Sequence, residues 1–178
     1  MKTNNIYARL LGLFLSVSVA TAIASDKVSV QASSDLRVTV IDESASASAS
    51  RDMVHAALGK SLSAGMTHEC KAPVQVTISV TAVARASKDL KKGVCDAVVV
   101  IGNSVPSALL KDGVTVLKAT DARSGDLNRT FYLLANTSDP AMNQMMGQAF
   151  DHAIKSAAFQ DALAGKTGAT SGLAAAAR

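Results

Sequence analysis

The chain has no tryptophan, two tyrosines and four phenylalanines among 178 residues. So little aromatic surface excludes the stacking platforms on which sugars or single-stranded nucleic acids bind. Three histidines and two cysteines are too few soft ligands for a zinc cluster of the usual kind. His68-Glu69-Cys70 has no second ligand cluster in the sequence, so neither metal nor cofactor is expected. Basic residues are scattered. No group exceeds Lys88, Lys91 and Lys92, which read as a solvated helix face, so nucleic-acid binding lacks its electrostatic warrant. G-x-G-x-x-G and S-x-x-K are both absent. Gly165-Lys166-Thr167 is only the tail of a P-loop, with Gln160 where the first glycine belongs and no helix after it.

What the chain does have is apolar content, 48% of residues, enough for one domain's core. Its first residues read as a secretory leader. Lys2 and Arg9 precede the apolar run Leu10 to Ala20, and Ala22-Ile23-Ala24 sets small residues for cleavage before Ser25. The run is too short for a comfortable membrane span, and no later segment is a candidate, so the protein is not expected to span a membrane. Cleavage after Ala24 removes two positive charges and no negative one, taking the formal net charge from +4 to +2. The expected location is the periplasm or the exterior. In an oxidising compartment the pair Cys70 and Cys95 is expected to close as a structural disulfide.

Between residues 25 and 165 the pattern alternates strand and helix. Leu36 to Ile41 is a strand with β-branched alternation. Met53, Val54, Ala57, Leu58 and Leu62 recur at helical spacing, with Ser48 or Ser50 as cap and Gly65 as terminator. Val74 to Val80 alternates cleanly as a second strand. Ser87 to Gly93 reads as a short helix. Ala97 to Ile101 is continuously apolar, as in a strand buried on both faces. Pro106 to Lys111 reads as a short helix, Val114 to Ala119 as a fourth strand, Thr120 to Asn128 as a polar loop and Thr130 to Ala135 as a fifth strand. Asp139-Pro140 pairs a cap with proline at the first helical position and opens a helix reaching Leu163. Residues 166–178 read as a disordered tail. This order predicts an α/β fold, a mainly parallel sheet flanked by helices.

Chemistry-bearing motifs are sparse. Gly102-Asn103-Ser104 begins like a nucleophile elbow, but Pro106 stands where G-x-S-x-G requires glycine. A secreted serine hydrolase acting through Ser104 is therefore a minor alternative. His55 lies by the apolar stripe of the first helix, where a histidine is a core or surface residue rather than a ligand. Met142 and Met146 read as core, with Met145 filling a gap.

Asp89-Leu90-Lys91-Lys92-Gly93-Val94-Cys95-Asp96 leads into the apolar third strand, similar to an L-x-x-G-x-x-D approach to a central strand. Phe131-Tyr132-Leu133-Leu134 followed by Asp139-Pro140-Ala141-Met142 is similar to a return strand and last long helix. On these segments the stretch Leu36 to Leu163 resembles the type II periplasmic substrate-binding proteins of ABC transporters, of the solute-binding family 3 kind. Those proteins are two-lobed and longer, so the resemblance implies a reduced, single-lobe form. In place of the family's Thr/Arg clamp after the third strand this chain has Asn103, Ser104 and Pro106. The resemblance implies binding of a small polar solute without catalysis, with a membrane transporter or another periplasmic protein as partner. A structural or adaptor protein that keeps the fold is the alternative. Ligands of open α/β sheets sit beyond the carboxyl ends of the strands. The residues expected there are Asp42, Glu43, Ser44 and Ser46 after the first strand and Asn103 and Ser104 after the third, with Arg123 reaching in from the polar loop.

Overall fold

Leu36, Val38 and Val40 alternate with Arg37, Thr39 and Ile41, and a strand sends alternate side chains to opposite faces. The computed structural model, which describes residues 34–43, 48–111, 113–124, 127–136 and 139–165, uses this alternation to build a core on each side of one sheet. The expected leader, the expected tail, Ser44 and Ser46 lie outside the described residues. The elements are β1 (Ser34–Asp42), α1 (Ser48–Cys70), β2 (Val74–Val80), α2 (Val83–Lys91), β3 (Ala97–Gly102), β4 (Thr115–Ser124), β5 (Leu127–Ala135), α3 (Pro140–Lys155) and α4 (Ala157–Leu163). No helix among the described residues is long and apolar enough to cross a membrane.

The five strands lie in the order β2-β1-β3-β5-β4. β1 pairs in parallel with β2 and β3, while β5 is antiparallel to both β3 and β4. The α/β class holds, but the sheet is mixed rather than mainly parallel. The reason lies in the segment read as a polar loop. Thr120 to Ser124 extends β4, Leu127 begins β5, and the two strands pair from Ser124↔Leu127 onward. A connection this tight permits only antiparallel pairing.

One face of the sheet is covered by α1, α3 and α4. Its core includes Leu36, Val38 and Val40 of β1, Ala97, Val99 and Ile101 of β3, and Phe131 of β5, whose ring meets Phe159 edge to face at 5.3 Å. On the opposite face Ala86 and Leu90 of α2, with Leu109 and Val114 of the β3–β4 connection, cover Ile41, Val98, Val100 and Leu134. The helix expected over Pro106 to Lys111 is instead a pair of turns, Leu109 N–H to Pro106 O and Leu110 N–H to Ser107 O, with Leu109 as the buried anchor.

Three helix boundaries differ from expectation. Gly65 does not end α1, which runs on to Cys70. A Cβ at Gly65 would lie 2.7 Å from the Ala149 carbonyl oxygen, so this glycine allows α1 and α3 to approach closely. α2 begins at Val83, and its end is a left-handed glycine cap: Gly93 has φ +65°, its N–H bonds Leu90 O, and the Val94 N–H bonds Asp89 O. The helix opened by Asp139, whose carboxylate accepts from the Ala141 N–H, breaks at Ser156. There the Ser156 hydroxyl bonds Ala153 O, accepts from the Phe159 N–H and meets Ser61 Oγ at 3.0 Å, side-chain bonds that compete with helix continuation.

The Leu90-x-x-Gly93-x-x-Asp96 segment has a structural task. Leu90 is core, Gly93 caps α2, and Asp96, 7% exposed, holds Arg37. Its Oδ2 accepts from the Arg37 N–H and Nε, its Oδ1 from Nη2, and Nη2 also bonds Gly93 O. This lock fixes the register of β1 against β3, and the Asp96 hydrogen bond holds the guanidinium pKa above its ordinary value.

The expected disulfide is not formed. Cys70 and Cys95 are both free thiols. Cys70 packs against the α1 side of the sheet and Cys95 against the α2 side, and β1 lies between the strands that follow them. The Cys70 thiol donates to Met145 Sδ at 3.4 Å. Burial pushes the Cys95 thiol pKa up, partly offset by its hydrogen bond with Thr39.

Candidate functional site

The register Asp42↔Ile101 places the ends of β1 and β3 side by side, and the Glu43 N–H extends the ladder to Ile101 O at 3.2 Å. Of the segment expected after β1, Asp42 and Glu43 thus lie beside the end of β3, while Ser44 and Ser46 are outside the described residues. Adjacent residues of a strand, however, point to opposite faces, and this divides the expected set.

Asp42 turns toward α1. Its side chain is 2% exposed, and its Oδ2 lies 3.3 Å from Nε2 of His55, whose side chain is 9% exposed. Asp42 is thus an internal partner of His55 rather than an open contact for a solute. His55 is the core histidine the helical stripe implies, with a role that the stripe does not reveal: it ties α1 to the end of β1.

Glu43 is exposed and lies toward the α2 face, close enough to Gly102 that a Cβ there would meet Glu43 Oε2 at 3.3 Å. Asn103 and Ser104 follow, both exposed. The Tyr132 hydroxyl, which the sequence reading did not single out, donates to Asn103 O at 3.2 Å and steadies this turn. The pairings Gly102↔Thr130 and Asp121↔Thr130 carry the same level across to β4, where the Thr130 hydroxyl donates to Asp121 Oδ1 at 2.7 Å. Arg123 lies two residues further along β4, at the same end of the sheet and exposed. It is two strands from β3, about 10 Å away at 4.8 Å per strand. Glu43, Asn103, Ser104, Asp121 and Arg123 form an exposed, mixed-charge rim that offers both donors and acceptors.

A second group lies at the far end of α1. His68, Glu69 and His152 each present one ligand atom, all within 4.8 Å of one another. An open groove of about 270 Å³ runs alongside, between α3 and β4, with Lys118, Gly147, Asp151 and His152 in its lining. The hydrogen bond from Lys155 holds the Asp151 carboxyl below its usual pKa, with further help from Thr120 and Lys118.

No family model, curated protein or solved structure matches this chain.

Proposed function

We propose that this is an exported, non-catalytic solute-recognition domain, a single lobe similar to those of type II periplasmic substrate-binding proteins. It takes a small polar solute at the carboxyl ends of β1 and β3, on the α2 face. The single observation that supports this reading most is the convergence there of Glu43 with Asn103 and Ser104. The helix-flanked sheet suits a lobe of that family, and the leader-like pattern of residues 1–24 supports export. Two carboxylates, Glu43 at the end of β1 and Asp121 on β4, with one guanidinium, Arg123, beside Asp121 on β4, favour a zwitterion or a polyhydroxylated amine over a simple anion. An open rim desolvates less of a ligand than a closed cleft does, so a second wall from a transporter or another periplasmic protein fits the same reading.

Ser104 is read as a rim donor rather than a nucleophile. The three histidines of the chain lie elsewhere: His55 against Asp42 on the α1 face, His68 and His152 around Glu69.

Calorimetry of the secreted chain against amino acids, polyamines and small organic acids tests the proposal. Binding by one class, weakened at least tenfold in both Glu43→Gln and Arg123→Ala, is the expected result. No binding by any class overturns solute recognition and leaves the adaptor reading. N-terminal sequencing of the exported fraction is expected to begin at Ser25.

A further inference from the structure

We infer that His68, Glu69 and His152 form a site for a divalent transition-metal cation of the zinc kind, bridging the end of α1 to α3. The site is independent of the solute rim.

The helix seam builds it. Ser61, Gly65 and His68 recur at i, i+4 and i+7 on α1, so they share one face. Ser61 meets Ser156, and Gly65 sits against Ala149 with no room for a Cβ. Two small residues thus let α1 approach α3 and its C-cap closely, and at the exposed edge of this contact His68 lies beside His152, ring centroids 6.1 Å apart at 69°. Glu69 stands between the two imidazoles. Its Oε1 is 3.1 Å from His68 Nδ1 and 3.8 Å from His152 Nδ1.

The donor set and spacing suit such an ion. Two imidazole nitrogens and one carboxylate oxygen are a zinc ligand set that leaves a fourth position open. With bonds of about 2.0–2.2 Å, tetrahedral geometry puts ligand atoms roughly 3.3–3.6 Å apart. The separations of 3.1 and 3.8 Å bracket that value, and the widest gap closes by a small rotation of exposed rings: the His68 and His152 side chains are 68% and 61% exposed, whereas Glu69, at 17%, is the fixed member. The carboxylate offsets one of the two positive charges. The carbonyl end of α1, which closes at Cys70, adds a partial negative charge. Lys71 beside it is exposed, so solvent screens its repulsion. Imidazole–carboxylate sites follow the general divalent affinity order, so the class of ion, not selectivity within it, is what the geometry defines.

Zinc chloride titrated calorimetrically into the full exported chain, prepared without an affinity tag, provides the test. One ion per chain is expected, with affinity falling at least tenfold in each of His68→Ala, His152→Ala and Glu69→Gln, while His55→Gln leaves it unchanged. Zinc is also expected to raise the Tm of the wild type and not of His152→Ala. Because His68 and His152 are surface residues, circular dichroism is expected to show both variants folded. Absence of zinc binding at 100-fold molar excess, or binding that survives His152→Ala and His68→Ala undiminished, overturns the assignment.

Discussion

Two carboxylate–imidazole arrangements lie at opposite ends of α1. At its start, Asp42 and His55 are sealed from solvent, with side chains 2% and 9% exposed. At its end, Glu69 is shared by two imidazoles that are mostly exposed. The chemistry is nearly the same, and only burial differs. A sealed pair cannot be reached by a ligand, and each member is costly to orphan because the other stays desolvated. An open pair contributes little to stability but keeps lone pairs within reach of a cation. The first arrangement belongs to the architecture and the second to recognition.

The largest expected effect separates them directly. Asp42→Ala leaves His55 buried without its carboxylate and is expected to cost about 3 kcal/mol, whereas Glu69→Ala is expected to cost under about 1 kcal/mol. Urea unfolding of the two variants measures this, and equal losses would erase the distinction.

Gly65→Val tests whether the seam makes the open site. A branched side chain beside Ala149 is expected to cost about 2 kcal/mol through overpacking. It is also expected to weaken zinc binding at least tenfold, although no ligand is touched. A destabilised variant that keeps full zinc affinity would separate the seam from the site.

The thiols sharpen the same contrast of sealed and open. Iodoacetamide at pH 8 is expected to leave Cys95 unlabelled in the native protein and to label both cysteines once it is unfolded without reductant. Because burial raises the Cys95 pKa, its native labelling is expected to rise only as pH climbs past the ordinary thiol range. Two unreactive sulfurs in unreduced, unfolded protein would restore the disulfide.

The smallest effect concerns Asp151, next to His152. Its pKa is lowered in the folded state, chiefly by the Lys155 hydrogen bond. Its contribution is therefore present above the unfolded value of about 3.8 and is lost as pH falls through the lower folded value. Asp151→Asn is expected to be less stable than the wild type at pH 6, by under about 1 kcal/mol, with the difference vanishing toward pH 2. A gap that persists in acid would assign the loss to packing.

Much of this frame was legible along the chain. The alternation at Leu36 to Ile41 and Val74 to Val80, the unbroken apolar run at Ala97 to Ile101 and the Asp139-Pro140 cap are local signals, since each reflects the period of one element or the chemistry of one turn. They determined the α/β class and four of the five strands to within a few residues, and they led to the expectation that the segments after β1 and β3 share one end of the sheet; that β1 and β3 are neighbours came only from the tertiary structure. The polarity of β5 was hidden, since a hairpin whose tip is rich in polar residues carries no apolar alternation to distinguish it from a loop. Gly65 looked like a helix end because glycine's usual role is local, whereas its role here is a contact with Ala149, a residue far away in the chain. Cys70 and Cys95 share an end of the sheet but not a face, and compartment and count cannot tell faces apart. His152 is 84 positions beyond His68, in a helix that reads as ordinary core packing. Only the close approach of α1 and α3 sets the two imidazoles on one carboxylate, because the site depends on the distance between two helices, and no periodicity along a single chain encodes that distance.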